Sequence, residues 1–314
     1  MKRWRGLNFN YLLKLLLGII ILILLIGSLD LNSLLQAILQ IKVEFLVAAV
    51  LVYLCLDLTL SYRLYKCLCA IGHKISWRET FWIHLFGMLL SNVTPGRAGY
   101  IGLSYLLYRK RKVPVSESIS CLGTIEAIEL IVKAGLAAAS LAFITSISGN
   151  QLLLQFGILG IIAILFMSCI FLLLCWREFE KLNKVVRSIP FVGKRVMELI
   201  VNFKGASRKL KRKTKFIAML SILGWIIRGT EWTFIGWACN INLPFYFFFM
   251  LHPLLTSVRY IPITPAGLGI FEGITLLGFS IFGVSEEKAL LLSFFDRIDN
   301  MLVDWIAIKE IKYL

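Results

Sequence analysis

The chain has 314 residues, of which 59% are hydrophobic and only 17% are charged. Soluble domains have roughly 45–50% apolar and about 25% charged residues, so this composition excludes most water-soluble folds. The apolar runs are continuous rather than alternating, which excludes a transmembrane β-barrel and indicates membrane-spanning helices. The net charge is +16. In a membrane protein such an excess of Lys and Arg is expected in the cytoplasmic loops, so we predict no nucleic-acid partner.

Apolar runs along the chain predict six membrane spans. They lie at about 11–29, 43–65, 117–145, 151–175, 216–239 and 289–308. The first run follows a basic start and no cleavage site of small residues follows it, so we interpret it as a retained helix rather than a signal peptide. The seven cysteines lie in or beside apolar runs and show no metal-ligand spacing, which predicts neither a disulfide nor a metal site.

Two further apolar stretches, about 80–108 and 245–283, are interrupted at their middle by Pro and several Gly. These residues end a helix. The arms on either side are mostly too short to span a bilayer. Each stretch is therefore either a re-entrant hairpin or a broken pair of spans.

The distribution of Lys and Arg favours the hairpins. With a cytoplasmic N-terminus, six spans and two hairpins place 27 of the 34 basic residues inside, Arg63 among them, and only Lys42 and Lys288 outside. The other five lie at membrane depth: Arg97, Lys133, Arg228, Arg259 and Arg297. This positive-inside distribution predicts that both termini are cytoplasmic. The basic linker 176–215 is expected to lie against anionic lipid headgroups.

The two interrupted stretches resemble each other, which indicates an internal repeat. Thr94-Pro95 matches Thr264-Pro265, and Gly99 matches Gly269. We predict one transmembrane domain, 1–314, with repeat 1 at about 11–145 and repeat 2 at about 151–308. Each repeat contains three spans. Because three is an odd number, the second repeat enters the membrane from the opposite face, which gives an inverted topology. The predicted fold is an all-α integral membrane protein with about six transmembrane helices and two re-entrant hairpins that meet near the midplane.

The Gly-rich breaks predict a polar cavity, because non-helical backbone in a membrane must line a cavity or be buried in protein. Gly lets backbone amides approach an anion, and the Arg97 guanidinium suits phosphate. Alternatively, Arg97 snorkels to the interface or pairs with an acid. Substrate contacts are predicted at Thr94, Gly96, Arg97, Gly99, Gly267, Gly269, Glu272 and Arg297.

Titratable residues at membrane depth are candidates for proton coupling. They are Glu126, Glu129, Asp296, His84 and His252. Helical spacing also predicts the ion pairs Glu129–Lys133 and Arg228–Glu231, a purely structural role for these groups. Hydrogen-bonded histidines without a relay function are the alternative for both His residues.

Two motifs give the chain a family resemblance. They are Thr94-Pro95-Gly96-Arg97-Ala98-Gly99, and Pro265-Ala266-Gly267-Leu268-Gly269-Ile270-Phe271-Glu272-Gly273 followed by Arg297. The chain resembles the flippase-like transmembrane domain of lysylphosphatidylglycerol synthases and related stand-alone membrane proteins. The resemblance implies movement of lipids or lipid-linked sugars between leaflets of a prokaryotic cell membrane. Tyr100 departs from the family pattern, which usually has an acid there, and so does Ala127, where an Arg is common.

The sequence therefore predicts a lipid translocase whose substrate is a phospholipid or a polyisoprenyl-linked lipid. Arg97 and Arg297 are expected to anchor the headgroup, with Glu272 as their partner or as a proton acceptor. The alternatives are a non-transporting accessory subunit of a lipid synthase or glycosyltransferase, which would be its partner, and a membrane-embedded enzyme. No nucleotide motif or catalytic set of residues occurs, so we predict no cofactor and no enzymatic activity of its own.

Overall fold

The computed structural model describes residues 9–149, 151–177 and 193–313, and within these ranges the chain forms helices and no β-strand. The α-helices are α1 (Phe9–Gly27), α2 (Leu31–Leu39), α3 (Val43–Ile71), α4 (Trp77–Val93), α5 (Leu103–Arg111), α6 (Val115–Ser148), α7 (Gln151–Trp176), α8 (Gly193–Lys211), α9 (Thr214–Ala238), α10 (Phe245–Leu255), α11 (Ile270–Ser280) and α12 (Glu286–Trp305). Short 3-10 helices cover Ala98–Gly102, Thr256–Tyr260 and Ile308–Tyr313. The all-α prediction is confirmed.

Among the described residues, four helices are long and apolar enough to cross a membrane, judged by length and composition. They are Phe9–Gly27, Val43–Ile71, Val115–Ile147 and Gly157–Trp176. The other two predicted spans, α9 and α12, contain 25 and 20 residues, or about 38 and 30 Å of helix. Both carry several charged side chains, among them the buried Glu231 and Asp296, and this explains their lower hydropathy.

Helix α3 is longer than the predicted span 43–65. It continues to Ile71 and ends at Gly72, whose φ of 112° lies in the left-handed region that glycine adopts without strain. Arg63, a few residues before these extra turns, is only 3% exposed. It therefore belongs to the packed interior rather than to an exposed loop, and its side of the membrane stays a prediction.

Each predicted interruption separates two short helices. The flanking helices α4, α5, α10 and α11 contain 17, 9, 11 and 11 residues. Their lengths of about 14 to 26 Å are all below the roughly 30 Å of a bilayer's hydrocarbon core. We call residues 94–97 the first break and residues 261–269 the second break.

The two breaks share a backbone conformation. After Thr94-Pro95, Gly96 and Arg97 have φ values of 61° and 57°. After Thr264-Pro265, Ala266 and Gly267 have φ values of 46° and 70°. Left-handed backbone is uncommon for residues other than glycine, so its occurrence at matching positions supports the similarity seen in the sequence. The inverted repeat itself remains a prediction.

The breaks also touch each other. Pro95 and Pro265 form an isolated antiparallel bridge, and the amide of Ala266 donates to the carbonyl of Thr94 at 3.3 Å. A methyl group added at Gly96 would lie 3.2 Å from the carbonyl oxygen of Tyr260. The helix bundle is therefore interrupted at one shared place, to which both broken pairs contribute.

The outer ends of each broken pair lie together. Arg111 at the end of α5 forms an ion pair with Glu79 in the first turn of α4. At the second pair, the rings of Phe247 in α10 and Phe282 just after α11 are 4.9 Å apart. Helix α3 runs between these two ends: its first residues adjoin the end of α9 through the hydrogen bond from the Lys42 amide to Ala238. Both outer ends of the first broken pair therefore lie at one end of the bundle, and both outer ends of the second lie at the opposite end.

Candidate functional site

A cavity of about 460 Å³ lies where the broken pairs meet the long helices. Its walls come from α3, α4, α6, α7, α9, α10, the first break and both neighbouring 3-10 helices. The lining contains five cationic side chains, those of Arg63, Arg97, Lys133, Arg228 and Arg259. It contains two acidic ones, Glu126 and Glu129. Such a concentration of buried and partly buried charge inside an apolar bundle makes the cavity the candidate functional site.

Three of the lining cations are neutralised by ion pairs. These join Arg63 to Glu129 at 2.5 Å, Arg228 to Glu231 at 2.7 Å, and Arg259 to Asp296. The predicted pair Arg228–Glu231 is confirmed. The predicted pair Glu129–Lys133 is wrong, because Arg63 on the neighbouring helix α3 takes the Glu129 carboxylate instead.

The two remaining cations, Arg97 and Lys133, have no carboxylate within ion-pair distance in the described part of the chain. Arg97 Nε donates to Ser91 Oγ at 2.9 Å, and its guanidinium lies 5.8 Å from the Tyr260 ring. The ammonium of Lys133 lies 4.6 Å from the same ring and 5.3 Å from that of Trp225. Aromatic faces stabilise cations, but they leave the positive charge available for an anion.

Glu126 and the two histidines complete the polar lining. Glu126 interacts with the hydroxyl group of Tyr260. The Nδ1 atom of His84 lies 3.2 Å from the hydroxyl oxygen of Tyr100. His252 packs edge-on against Trp232, with ring centroids 4.4 Å apart. Four of the five predicted coupling residues therefore line one cavity. The fifth, Asp296, lies outside the cavity wall and forms the ion pair with Arg259.

On one side the cavity reaches the surface of the bundle. Ile101 and Met167 belong to its lining and are 56% and 68% exposed. Ile119 and Phe171 lie beside them in the same wall and are partly exposed. The edge of this opening is therefore apolar, as a surface in contact with hydrocarbon would be.

In the first break and the 3-10 helix that follows it, two residues build the turn and two face the cavity. Thr94 Oγ1 donates to the carbonyl of Leu90 at 2.9 Å and accepts from the amide of Gly99 at 2.7 Å. Gly96 and Arg97 line the cavity. Thr94 and Gly99, predicted as substrate contacts, therefore lie outside the cavity wall, where they hold Gly96 and Arg97 in position.

The predicted contacts of the second break also lie outside the cavity wall. Glu272 accepts a hydrogen bond from the amide of Gly269 at 2.7 Å and forms an ion pair with Arg297. Arg297 also donates to the carbonyl of Ala266 at 3.2 Å. The structure brings Glu272 and Arg297 together as expected, but not facing the groove. The reason is that the free amides and the dipole at the start of α11 attract the carboxylate back onto its own helix.

Gly267 packs against Arg259, whose Cα would lie 3.3 Å from a methyl group added at Gly267. Gly267 therefore supports a residue of the cavity wall but does not itself line the cavity.

Several lining residues were missed by the predicted site. They are Arg63, Tyr100, Lys133, Arg228, Arg259 and Tyr260. Four of them are charged. Ionisable residues within apolar stretches are the sequence signal that could have identified these four. Tyr100 and Ala127, the two departures from the family pattern, both belong to the cavity wall.

The comparisons with known proteins agree with this architecture. The sequence model of the family described as "Lysylphosphatidylglycerol synthase TM region" matches residues 11–306. A UPF0104 membrane protein of Methanocaldococcus jannaschii is 24% identical over 189 residues, which cover 59% of this chain and 76% of that protein. The family match includes both breaks and nearly all of the described helices. The chain therefore belongs to the lysylphosphatidylglycerol synthase transmembrane-region family of multi-pass membrane proteins.

Proposed function

We propose that the protein moves an anionic, phosphate-bearing lipid between the two leaflets of the cell membrane. The headgroup would enter the cavity while the hydrocarbon chains stay in the bilayer beside Ile101 and Met167. The observation that carries this proposal is the pair Arg97 and Lys133, a partly buried and a buried cation without a carboxylate within ion-pair distance in the described chain. They lie in a cavity that is open on an apolar side.

The physical argument concerns the free energy of buried charge. A cation at membrane depth costs at least about 2.5 kcal/mol on insertion scales, and a bound anion offsets that cost. Arg97 presents a planar fork of donors that suits two phosphate oxygens, whereas Lys133 contributes a point charge. Tyr260 lies against both cations and holds them on the same side of the cavity.

The proposed transport path depends on two re-entrant hairpins in an inverted repeat. Supporting observations are the contact between Pro95 and Pro265 and the positions of the outer helix ends at opposite ends of the bundle. With both termini cytoplasmic, the first hairpin would enter from the cytoplasm and the second from outside. The headgroup would then be exposed alternately to the two sides as the breaks shift.

The test is lipid movement in proteoliposomes that contain a labelled phospholipid. We expect Arg97→Ala to abolish protein-dependent movement and Arg97→Lys to restore it in part, because Lys keeps the charge but lacks the fork of donors. Arg109→Ala is the matched control, since Arg109 is exposed and lies over Tyr105 outside the cavity. Full activity of folded Arg97→Ala would refute the proposal.

A second candidate is a membrane subunit that supports a lipid synthase or glycosyltransferase without transporting lipid itself. The family description favours it, because the matched region is named after a synthase. Retention of a phospholipid in mild detergent, together with no movement in proteoliposomes and a co-purifying enzyme, would select this candidate. Anionic headgroups along the basic linker 176–215 would then help to hold the partner at the membrane. Residues 178–192 of that linker lie outside the described chain.

A further inference from the structure

Glu126 on α6 is an acidic side chain of the cavity wall that has no ion pair. It lines the cavity and is partly exposed. In the part of the chain that the structure describes, Arg63 is paired with the other lining carboxylate, Glu129, and no cation lies within ion-pair distance of Glu126. A carboxyl group at membrane depth needs a hydrogen-bond donor. A headgroup that enters the cavity can supply one.

Glu126 and Lys133 lie on one face of α6. They are seven residues apart, which is about 10 Å along the helix axis, and residues at this spacing share a helix face. Both line the cavity, and Lys133 belongs to the proposed phosphate site. The two side chains can therefore contact two parts of one headgroup: the phosphate at Lys133 and a donor group at Glu126.

Ser168 on α7 faces the same part of α6. Helix α7 starts at residue 151, directly after α6 ends at residue 148, and the two pack side by side, so they run antiparallel. A methyl group added at Gly123 would lie 2.5 Å from the ring of Phe171, which shows where they touch. Three residues further along α6 lies Glu126, and three residues earlier on α7 lies Ser168, so these two lie at a similar level.

The hydroxyl group of Ser168 is available to a ligand. Ser168 lines the cavity and is 3% exposed. Its Oγ atom has no hydrogen-bond partner among the described residues. A hydroxyl group can both donate and accept, so Ser168 and Glu126 together offer one donor and several acceptors to a headgroup between α6 and α7.

The charges around Glu126 favour a hydroxyl group over an ammonium group as its donor. The ring of Tyr260 lies against both Arg97 and Lys133, and Glu126 interacts with the hydroxyl group of the same tyrosine. An ammonium group at Glu126 would therefore be repelled by two cations that have no carboxylate partner. A hydroxyl group carries no charge, and a carboxyl group accepts from it in either protonation state.

We propose that Glu126 and Ser168 select lipids whose phosphate carries a polyol, such as glycerol, inositol or a sugar. The hydroxyl groups of the polyol donate to Glu126 and exchange hydrogen bonds with Ser168, while the phosphate binds at Arg97 and Lys133. This inference rests on the proposed function for the phosphate site and adds the chemical class of the group beyond the phosphate. Phospholipids and polyisoprenyl-linked sugars can both contain this unit.

The binding of three lipids with identical acyl chains to the purified protein in detergent tests the class of headgroup. Phosphatidylethanol has no donor beyond its phosphate, phosphatidylethanolamine has an ammonium group, and phosphatidylglycerol has two hydroxyl groups. By native mass spectrometry, we expect the wild type to bind phosphatidylglycerol about tenfold more tightly than either of the others. Equal binding of phosphatidylglycerol and phosphatidylethanol, or a preference for phosphatidylethanolamine, would overturn the proposal.

Two substitutions assign this preference to its side chains. Glu126→Gln keeps the shape but loses the charge-assisted hydrogen bond, so the preference for phosphatidylglycerol over phosphatidylethanol should fall severalfold, with phosphatidylethanol binding unchanged. Ser168→Ala should lower the same preference by less. Glu44→Gln, which removes an exposed carboxylate of α3 outside the cavity, should keep it. An unchanged preference in folded Glu126→Gln refutes the role of Glu126. If that variant does not fold, Ser168→Ala and the wild-type comparison decide.

Arg97→Ala separates this inference from the proposed function. It should weaken the binding of phosphatidylglycerol and phosphatidylethanol by the same factor, because both carry the phosphate. If the wild type binds neither lipid, or Arg97→Ala binds both normally, the phosphate site fails and the polyol site fails with it. Equal wild-type binding of the two lipids that still depends on Arg97 overturns the polyol site alone.

A polyisoprenyl phosphate sugar in the same assay distinguishes the two sources of the polyol. Tighter binding than that of phosphatidylglycerol identifies a lipid-linked sugar as the ligand, and weaker binding identifies a phospholipid. In either case Glu126→Gln should weaken the tighter ligand severalfold. Undiminished binding of that ligand to the folded variant would overturn the proposal.

Discussion

At the scale of single residues, Gly99 shows how tightly the chain is packed just after the first break. A methyl group added there would lie 2.3 Å from the carbonyl oxygen of Leu90, which belongs to the backbone and has little room to move. We expect Gly99→Ala to destabilise the protein by about 1–3 kcal/mol, the usual effect of overpacking. Thermal unfolding in detergent measures the loss.

The control for this prediction is Gly135→Ala on α6. Nothing lies within 4 Å of an added methyl group at Gly135, and alanine raises helix propensity by up to about 1 kcal/mol. Gly135→Ala should therefore be neutral or stabilising. Equal melting temperatures for Gly99→Ala and Gly135→Ala would contradict the packing at the first break.

Glu272 gives a second prediction, and here the structure changes what the sequence led us to expect. The carboxylate caps α11 at Gly269 and holds Arg297, so Glu272→Gln should lower stability rather than merely abolish a pH response. Removing one partner of a buried ion pair costs about 3 kcal/mol, because the other charge is left unpaired. The measurement is thermal or denaturant-induced unfolding.

A double-mutant cycle separates the ion pair from other effects of this substitution. Glu272→Gln combined with Arg297→Gln should lose less stability than the sum of the two single losses. Strict additivity would show that the pair contributes nothing and that the cap alone accounts for the effect of Glu272→Gln.

Ion-pair partners show where prediction from sequence stops at this scale. Spacing along one helix identified Arg228–Glu231 correctly. The same reasoning assigned Lys133 to Glu129, whereas the actual partner, Arg63, lies 66 residues away on another helix. Helical periodicity reports neighbours on one surface, but it contains no information about which helix packs against that surface.

At the scale of elements, the breaks were predictable because Pro and Gly act locally on the backbone. Thr94 and Thr264 each precede a proline. Helix α4 ends just before Thr94, and Thr264 lies in the non-helical segment between the 3-10 helix Thr256–Tyr260 and α11. The boundary of α3 was not predictable from hydropathy, because basic residues begin at Arg63 while the helix continues to its glycine stop at Gly72. The contact between the breaks joins residues 170 positions apart, and no local pattern encodes it.

Helix α1 packs across the second break, and this contact carries a third prediction. Lys14 Nζ donates to the carbonyl of Pro262 at 2.7 Å, and Gly18 faces Leu268 closely enough that an added methyl group would lie 3.1 Å away. Cysteines at positions 14 and 262 should therefore join in high yield through a short thiol-reactive cross-linker. Gly18→Leu should reduce that yield, because the larger side chain pushes α1 away.

Gly27→Leu is the matched control for the cross-linking experiment. It lies at the end of the same helix, where nothing is within 4 Å of an added methyl group. Its cross-linking yield should equal that of the unsubstituted pair. If Gly18→Leu has no larger effect than Gly27→Leu, α1 does not pack on the second break as described.

At the scale of the whole molecule, the described chain contains two large buried apolar cores and a smaller one around Ala137 and Leu141. One large core surrounds Leu64 and Leu103 in the helices beside the first break, and the other surrounds Trp232 and Phe271. Residues of the first core, Leu60 and Leu122 among them, line the cavity. Composition predicted burial of apolar residues in general, but the division into separate cores depends on which helices pack together, and therefore escaped prediction.

The two ends of the molecule differ in charge, and this difference carries the last prediction. Lys110 at the end of α5 pairs with Glu310, just after α12, at 2.6 Å. His73, just before α4, pairs with Glu117 at the start of α6 at 2.7 Å. These four segments therefore lie together and form one basic end. At the other end, Lys288 donates to the carbonyl of Asn240 at 3.3 Å. Basic loops remain cytoplasmic during insertion, so we expect the first end inside the cell and the second outside.

Labelling of single cysteines in intact cells measures this orientation, on a background in which the seven native cysteines are replaced. A membrane-impermeant maleimide should label exposed positions 42 and 285 from outside. Positions 112 and 213 should react only after permeabilisation, which also serves as the control that all four sites are accessible. The proposed first hairpin requires 112, which follows α5, to lie on the cytoplasmic side, and the two helices α6 and α7 then return the chain to that side before 213. Labelling of either position from outside would therefore exclude the re-entrant path of the first broken pair and the cytoplasmic entry of lipid that depends on it.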